Sequence, residues 1–594
     1  MKTSIIEFYQ DKRKSFANEL TSVSRQLKRF GWYRFFAFIL IFVPLFVLGW
    51  KWHSGLLSVI FLGIFFFLVK KNIQLDLKKR KLTLLIKIAE EELLALDHKF
   101  SHFKDGKEFL NTDHFFSYDL DLFGEGSLFQ YLNRTSTLDG KEKLANWLMQ
   151  PSLDKLEIKR KQDAVQELAK MADWRIQFLA EGKFFEETSE MSREMKSWSD
   201  VNLELKQTKW LKTVLYTIPA ITLLTIIPTA ITGNFALILM MAIIQWGIMY
   251  FFRKEISKYY EFFGQKSELL SKYMELLKLI ENNNFKTDYL KELQKKVLHP
   301  ISASDVFSRL QNLVKEFDYR GNLLVGIILN SIFLWDIRCV YRLWIWQNKH
   351  HKKFPEWLNV IAEIDALISL ANFAQNNPEY VYPEIETDDF LLHAEELGHP
   401  LLNPAKRITN ELEINGWSKI LIITGANMAG KSTFLRTVGV NFILGRTGAP
   451  VCTLKMKFTP VAIYTNMRTT DSLLHDESYF FAELKRIKGV LDRLQNGEKI
   501  FVILDEMLKG TNSIDKLNGS KELTRRLLKY HSISLIATHD LKLSEMEQEF
   551  PEQIKNLCFE IRIENNEMVF DYKLSDGVTK TMNATFLMKK MGII

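Results

Sequence analysis

The sequence predicts a P-loop α/β domain at residues 391–594, preceded by a helical region that carries two apolar helical hairpins. Three observations lead there. A glycine-containing loop sits between an apolar strand and a helix-spaced segment at 420–444. A second apolar strand, at 499–506, ends in two adjacent carboxylates. Two stretches, 35–69 and 213–252, are almost free of charge, the first interrupted by Lys51. The 594 residues leave room for several domains. A net charge of +8 permits contact with anionic lipid or nucleic acid without demanding either. Cys339, Cys452 and Cys558 are scattered in neither a metal-ligand nor a disulfide pattern, which suits a reducing compartment.

Residues 1–104 open with a polar, basic segment of helical periodicity through Ile5, Phe8, Tyr9, Phe16, Leu20, Val23 and Leu27. A charged start of this kind is not a signal peptide of the usual form. Residues 35–50 and 52–69 then read as two membrane-spanning helices joined by a tight turn, since about 20 apolar residues cross a bilayer. Trp32, Tyr33, Trp50 and Trp52 stand where interfacial anchors would. Arg25, Lys28, Arg29 and Arg34 precede this hairpin and Lys70 and Lys71 follow it, so both ends are expected in the cytoplasm. A charged helix is expected over 70–104. Residues 105–390 read as a helical region punctuated by Gly and Pro, interrupted at 213–252 by the second hairpin. That stretch has Thr232-Gly-Asn234 as its turn, Pro219 and Pro228 as tolerated kinks, Lys206, Lys209 and Lys212 on one side, and Arg253 and Lys254 on the other. Residues 255–298 read as a long helix with coiled-coil-like spacing. The apolar run 321–335 is too short for a span and is expected to be a buried core helix. Aromatic and basic residues interleave over 344–354, which suits a solvated helix end or a contact with nucleic acid or lipid headgroups. From residue 390 strands and helices alternate, as in a parallel sheet.

The chemistry is concentrated in three strand ends. Gly425, Gly430, Lys431 and Ser432 complete a G-x-x-x-x-G-K-S pattern between the apolar run 420–423 and helical spacing from Thr433. Glycines let backbone N–H groups converge on phosphate oxygens, and a helix N-terminus adds partial positive charge. Lys431 would reach the β- and γ-phosphates of ATP, and the Ser432 hydroxyl would ligate Mg²⁺. Asp505, at the end of the second strand, is placed to hold Mg²⁺ through water, and Glu506 to polarise the attacking water. Ala537-Thr-His539 ends a third strand about 33 residues later, the length of one strand–helix–strand crossover. His539 could hydrogen-bond the γ-phosphate or the attacking water.

The run Thr424-Gly-Ala-Asn-Met-Ala-Gly-Lys-Ser-Thr433 resembles the phosphate loop of the MutS mismatch-repair ATPases, with Asn427 and Met428 matching and Ala426 and Ala429 departing from the more usual Pro and Gly. Asp505-Glu-Met-Leu-Lys-Gly-Thr-Asn-Ser-Ile-Asp515 and Ala537-Thr-His539 resemble two further family segments. Asp476-Glu-Ser-Tyr-Phe-Phe-Ala-Glu483 is similar to the segment that crosses the family's dimer interface, with Ser478 and Glu483 matching. Gly398-His-Pro-Leu-Leu402 and, more weakly, Gly126, Thr137, Gly140, Pro151 and Asp365 also resemble family positions. The resemblance implies an ABC-like ATPase domain of the MutS C-terminal type behind a MutS-core-like region. It also implies a homodimer that sandwiches two nucleotides, with Gly425, Asn427, Gly430, Lys431, Ser432, Thr433 and the partner-reaching Ser478 on ATP. Ser432 and Asp505 would lie on Mg²⁺, and Lys431, Glu506 and His539 would act in hydrolysis. An ABC transporter is disfavoured, because no Leu-Ser-Gly-Gly-Gln motif is present. No mismatch-reading domain is visible at the N-terminal end, where the first hairpin stands. Two functions stay open: a DNA-binding mismatch-repair ATPase held at the cytoplasmic (inner) membrane by lipid contact, and a membrane-remodelling or signalling ATPase that reuses the fold without mismatch recognition.

Overall fold

The computed structural model describes residues 2–198, 203, 205, 208–468, 479–564 and 567–580. The N-terminal segment is one continuous helix, Lys2–Val47, paired along its length with a second, Trp52–Leu96. Between them the Ser54 hydroxyl donates to Gly49 O at 2.6 Å and accepts from Lys51 N at 3.0 Å, closing the turn. Near the turn both helices are apolar and exposed, as at Phe46, Val47, Trp52 and Leu56. Further down they zip through Val23, Leu75 and Leu82. At the base they enter the core. Tyr9 is buried, and Glu92 pairs with Arg134 at 2.6 Å where both side chains are almost fully enclosed. Asn376 Nδ2 donates to the second Glu92 oxygen at 2.7 Å, and Arg134 lies on the Phe103 ring. A buried carboxylate needs such partners on both oxygens.

Four described helices are long and apolar enough to cross a membrane, or up to six if each bent pair counts as one. Burial separates them. Only 11% of the apolar window is buried in each helix of the first hairpin and 22% in Trp210–Thr232, whereas 83% is buried in Phe354–Asn376. The last is the central core helix, packed against Leu138–Met149 and Lys155–Ala169. Its Asp365 accepts from the Ser136 and Thr137 amides and hydroxyls, with Thr137 Oγ1 at 2.7 Å, and so fixes Thr137, whose own hydroxyl accepts from Gly140 N at 3.0 Å and caps the helix that starts at Leu138.

The second hairpin is Thr208–Thr232 and Ala236–Phe251. Of its expected flanking lysines, Lys206 lies outside the described residues. Two expectations fail in the helical region. The long helix over 255–298 is three helices, Arg253–Phe263, Ser267–Glu281 and Asp288–Leu298; the first break follows Gly264, where Gln265 adopts φ +59°. The apolar run 321–335 is not a buried core helix. Leu323–Phe333 packs on the second hairpin and leaves Leu323, Leu324 and Ile328 exposed, and the chain then turns by 78° into Trp335–His350. Ser331 accepts from Trp246 Nε1 at 3.0 Å, and the buried Gln245 donates to Ile332 O at 3.3 Å and accepts from Leu334 N at 3.1 Å, so polar groups of the hairpin hold the C-terminal end of the helix Leu323–Phe333. The 344–354 stretch is half core: Trp346 is buried, while Lys349 and Lys352 are exposed.

The C-terminal part holds two sheets. Strands are β1 (Glu384–Ile385), β2 (Leu391–Leu397), β3 (Asn410–Asn415), β4 (Lys419–Gly425), β5 (Lys455–Phe458), β6 (Ala462–Asn466), β7 (Ile500–Asp505), β8 (Ile533–Thr538), β9 (Ile554–Glu564) and β10 (Glu567–Asp576). The six-stranded sheet runs β10-β9-β4-β8-β7-β6, parallel except at β10. Its β4, β7 and β8 are apolar on both faces, as strands covered on both sides must be. The four-stranded sheet, β1-β5-β2-β3, pairs β2 antiparallel to both neighbours, so the all-parallel expectation fails there. Alternation along β3, one face buried and one exposed, is the signature of that difference.

Candidate active site

Because β8 lies between β4 and β7, the C-terminal ends of all three open on one edge of the sheet. Open α/β sheets place ligands at that edge. After β4 the chain turns at Gly425 and Gly430, the latter with φ +108°, before the helix Lys431–Thr447. A Cβ at Gly425 would stand 2.9 Å from Phe559 O, so the loop is pressed against β9 and only glycine fits. Asn427 and Met428 are exposed at the loop's crest, and Thr433 is exposed on the first turn of the helix. Lys431 folds back over the loop and donates to Gly425 O at 2.8 Å and Ala426 O at 3.0 Å. Burial lowers its ammonium below the usual lysine range, with Asp505 and Glu506 opposing the shift.

The Ser432 hydroxyl donates to Asp505 Oδ2 at 2.5 Å. Asp505 Oδ1 is buried and meets no hydrogen-bond donor. A hydroxyl joined to a carboxylate that retains an unsatisfied buried oxygen is the donor set a hard divalent cation takes beside phosphate. The residues therefore fit Mg²⁺, held by Ser432 and Asp505, which would neutralise charge on phosphate oxygens when bound. Ser432→Ala is expected to raise the Mg²⁺ concentration for half-maximal ATP turnover at least about tenfold, read from a Mg²⁺ titration of the purified chain.

Glu506 begins the turn after β7 with φ +52°, and Leu508 follows with φ +58°. Left-handed backbone at two non-glycine residues is strained and needs outside support. Glu483, on the helix Tyr479–Gln495, supplies it: its buried carboxylate accepts from Leu508 N at 2.6 Å and Lys509 N at 3.2 Å. The turn aims Glu506 Oε1 at His539 Nε2, 2.6 Å away, with Lys509 Nζ 3.6 Å from Oε2. That histidine contact, with the nearby lysines, pulls the Glu506 carboxyl down to about 2. It is an ionised acceptor at neutral pH. Both His539 ring nitrogens lie 3.3 Å from Lys431 Nζ, which closes the ring of groups.

Gly425, Gly430, Lys431, Ser432, Asp505, Glu506 and His539 thus meet at one sheet edge. Ser478 lies outside the described residues. Glu483 belongs to the family-like segment in the sequence, and only the fold shows its support of the 505–510 turn. A second contact has no signal in the sequence. The helix that begins with Lys431 carries Arg436, whose Nε donates to Asp119 O at 3.1 Å, so the glycine loop is tied to the helical region.

With this geometry in view, sequence comparison decides the family. The model of MutS domain III matches residues 110–371, and that of MutS domain V matches 421–589. The chain belongs to the MutS family. It is 26% identical over 317 residues to MutS protein homolog 4 of Mus musculus, covering 51% of this chain and 31% of that protein. It is 30% identical over 250 residues to the DNA mismatch repair protein MutS of Thermotoga maritima, covering 41% and 31%. With the DNA mismatch repair protein msh3 of Aspergillus terreus it shares 29% over 240 residues, covering 39% and 21%. The matches therefore span about a third or less of the length of these relatives. In MutS terms the glycine loop, the acidic pair and His539 fall in domain V, and the second hairpin falls within domain III.

Proposed function

We propose that this MutS-family protein is a membrane-anchored ATPase that works as an ATP-driven dimeric switch at the cytoplasmic (inner) membrane. The observation that carries the ATPase reading is the Ser432–Asp505 contact at 2.5 Å with Asp505 Oδ1 unsatisfied, set beside the 2.6 Å Glu506–His539 pair. The loop amides and Lys431 would bind the ATP phosphates. Glu506 would accept a hydrogen bond from the attacking water and so orient and polarise it, with His539 holding the carboxylate in place. A second copy would complete each site with its own 476–483 segment, so that ATP closes the dimer and hydrolysis opens it.

Support for the anchor comes from the exposed apolar helices of the two hairpins, whose backbones are internally bonded as a bilayer requires. The first hairpin runs without a break into the buried Glu92–Arg134 contact, so motion in the core would reach its apolar end. The relatives' names favour DNA as the partner. The position of the second hairpin within domain III favours a membrane output instead, and we take a membrane-coupled switch as the better reading. Full-length protein is expected to stay in the membrane pellet through alkaline carbonate extraction and to hydrolyse ATP in a Mg²⁺-dependent way once in detergent. Release into the soluble fraction would remove the anchor, and failure to cleave ATP would remove the enzyme. Duplex DNA that binds and weakens steeply with salt would restore the mismatch-repair reading.

A further inference from the structure

Where the second hairpin meets the bent helix pair, a cavity of about 320 Å³ opens beside the first basic residues after the hairpin. Trp246, Met249, Leu323 and Ile327 give it apolar walls, and Arg253, Arg320 and Asp336 give it charge. Arg320 is stacked over Tyr260, with its guanidinium carbon 4.7 Å from the ring centre. Its Nε stands 3.5 Å from Asp336 Oδ2, longer than the 2.7–2.9 Å typical of a charge-assisted hydrogen bond. The two charges pair only loosely, and each keeps one atom without a partner. Among the described residues, Arg320 Nη1 is buried with no acceptor and Asp336 Oδ1 is buried with no donor, although the Asp336 side chain is only 5% exposed. Buried, half-satisfied charges of opposite sign are costly unless something bridges them.

A ligand that satisfies both must bring an anion to the guanidinium and N–H donors to the carboxylate. It must also offer an apolar body to Trp246, Leu323 and Ile327. Inorganic phosphate answers only the first demand. On the proposed membrane topology this cavity lies at headgroup depth, because Arg253 marks the cytoplasmic end of the hairpin. We propose that the cavity binds the headgroup of an ethanolamine-type phospholipid, with the phosphate between Arg253 and Arg320 and the ammonium on Asp336. The inference rests on the membrane reading for the source of the ligand, and on the Arg320–Asp336 geometry for its chemistry.

The test uses the full chain in detergent with added phosphatidylethanolamine, phosphatidylcholine or phosphatidylglycerol, and native mass spectrometry to read retained lipid. Choline has no N–H to give Asp336, so ethanolamine lipid is expected to be retained at least about tenfold more tightly. Asp336→Asn, nearly isosteric, is expected to erase that preference, and Arg320→Gln to weaken all three lipids. Equal retention of the three headgroups by the wild type overturns the proposal whether or not the variants fold. Titration with free phosphoethanolamine and with inorganic phosphate separates the sources: binding of the free headgroup at millimolar level or better marks a soluble ligand, and binding of phosphate alone removes the role of Asp336. Protein that resists carbonate extraction but shows no preference loses this site alone. Protein that leaves the membrane loses the anchor, and the free-headgroup titration then decides the site by itself.

Discussion

Glu506→Gln is expected to slow ATP hydrolysis by about 10²–10⁴-fold, the range lost when a positioned acid–base group is taken from the attacking water, while ATP binding is retained. Among the described residues Glu506 makes no hydrogen bond or ion pair with the glycine loop or Ser432. Its partners are His539 at 2.6 Å and Lys509 at 3.6 Å, so removing its charge leaves the groups that would grip phosphate in place. The variant should therefore accumulate in the ATP-bound state, read by single-turnover kinetics and by dimer population with ATP and Mg²⁺. The pH profile adds a sharper check. The wild-type carboxyl is held down near 2, so Glu506 is ionised throughout the neutral range. Its loss should lower turnover uniformly between about pH 6 and 9, without moving any limb of the profile. The sign for stability follows: a depressed carboxyl contributes above its unfolded value near about 4.3 and loses that contribution as pH falls toward 2. Unchanged turnover in Glu506→Gln would remove the residue from the reaction.

The site was legible in the sequence because its parts are local. A loop, an acidic pair and a histidine each end an apolar run, and sheet topology brings run ends together. The hairpin turns were legible for a similar reason: breaks at Lys51 and at Thr232-Gly-Asn234 are punctuation within charge-free runs. What stayed hidden depends on tertiary partners. Residues 321–335 look like core by composition, and only the bonds of Gln245 and Trp246 reveal how the segment is held. The helix expected over 255–298 keeps its apolar spacing across breaks that occur where Gln265 takes a left-handed backbone and where 282–287 turns. Glu483 is one carboxylate among 71 acidic residues until the fold sets it under the amides of Leu508 and Lys509.

Asp119 was hidden in the same way, and it carries the second large prediction. Asp119→Ala is expected to destabilise the protein by about 3–5 kcal/mol, measured by chemical denaturation, because it strips the acid from a buried charge network. The Asp119 side chain is fully buried. It accepts from Thr465 Oγ1 at 2.7 Å, from Arg468 N at 2.9 Å and from Arg486 Nη2 at 3.2 Å. Three separate pieces of the sheet domain thus converge on one carboxylate from the helical region: β6, the residues after it, and the helix that also holds Glu483. Asp121, two residues on, is the internal control. It pairs with Arg468 at 2.5 Å and Arg436 at 3.5 Å, but its side chain is 39% exposed. Exposed pairs contribute about 0–1 kcal/mol, and alanine at Asp121's φ of +51° adds about 1–2 kcal/mol, so Asp121→Ala should still cost less than Asp119→Ala. The function should follow the same order. Asp119 links the domain that would bind ATP to the helices that continue into the first hairpin, so Asp119→Asn, which keeps the shape and the backbone acceptor for Arg436, should uncouple nucleotide state from the hairpins before it unfolds the chain. Distances between spin labels at the exposed residues 46 and 243, compared with and without ATP, would read that coupling. Equal losses from Asp119→Ala and Asp121→Ala would mean that burial does not set the value of this junction, and the route from the nucleotide edge to the hairpins would have to lie elsewhere.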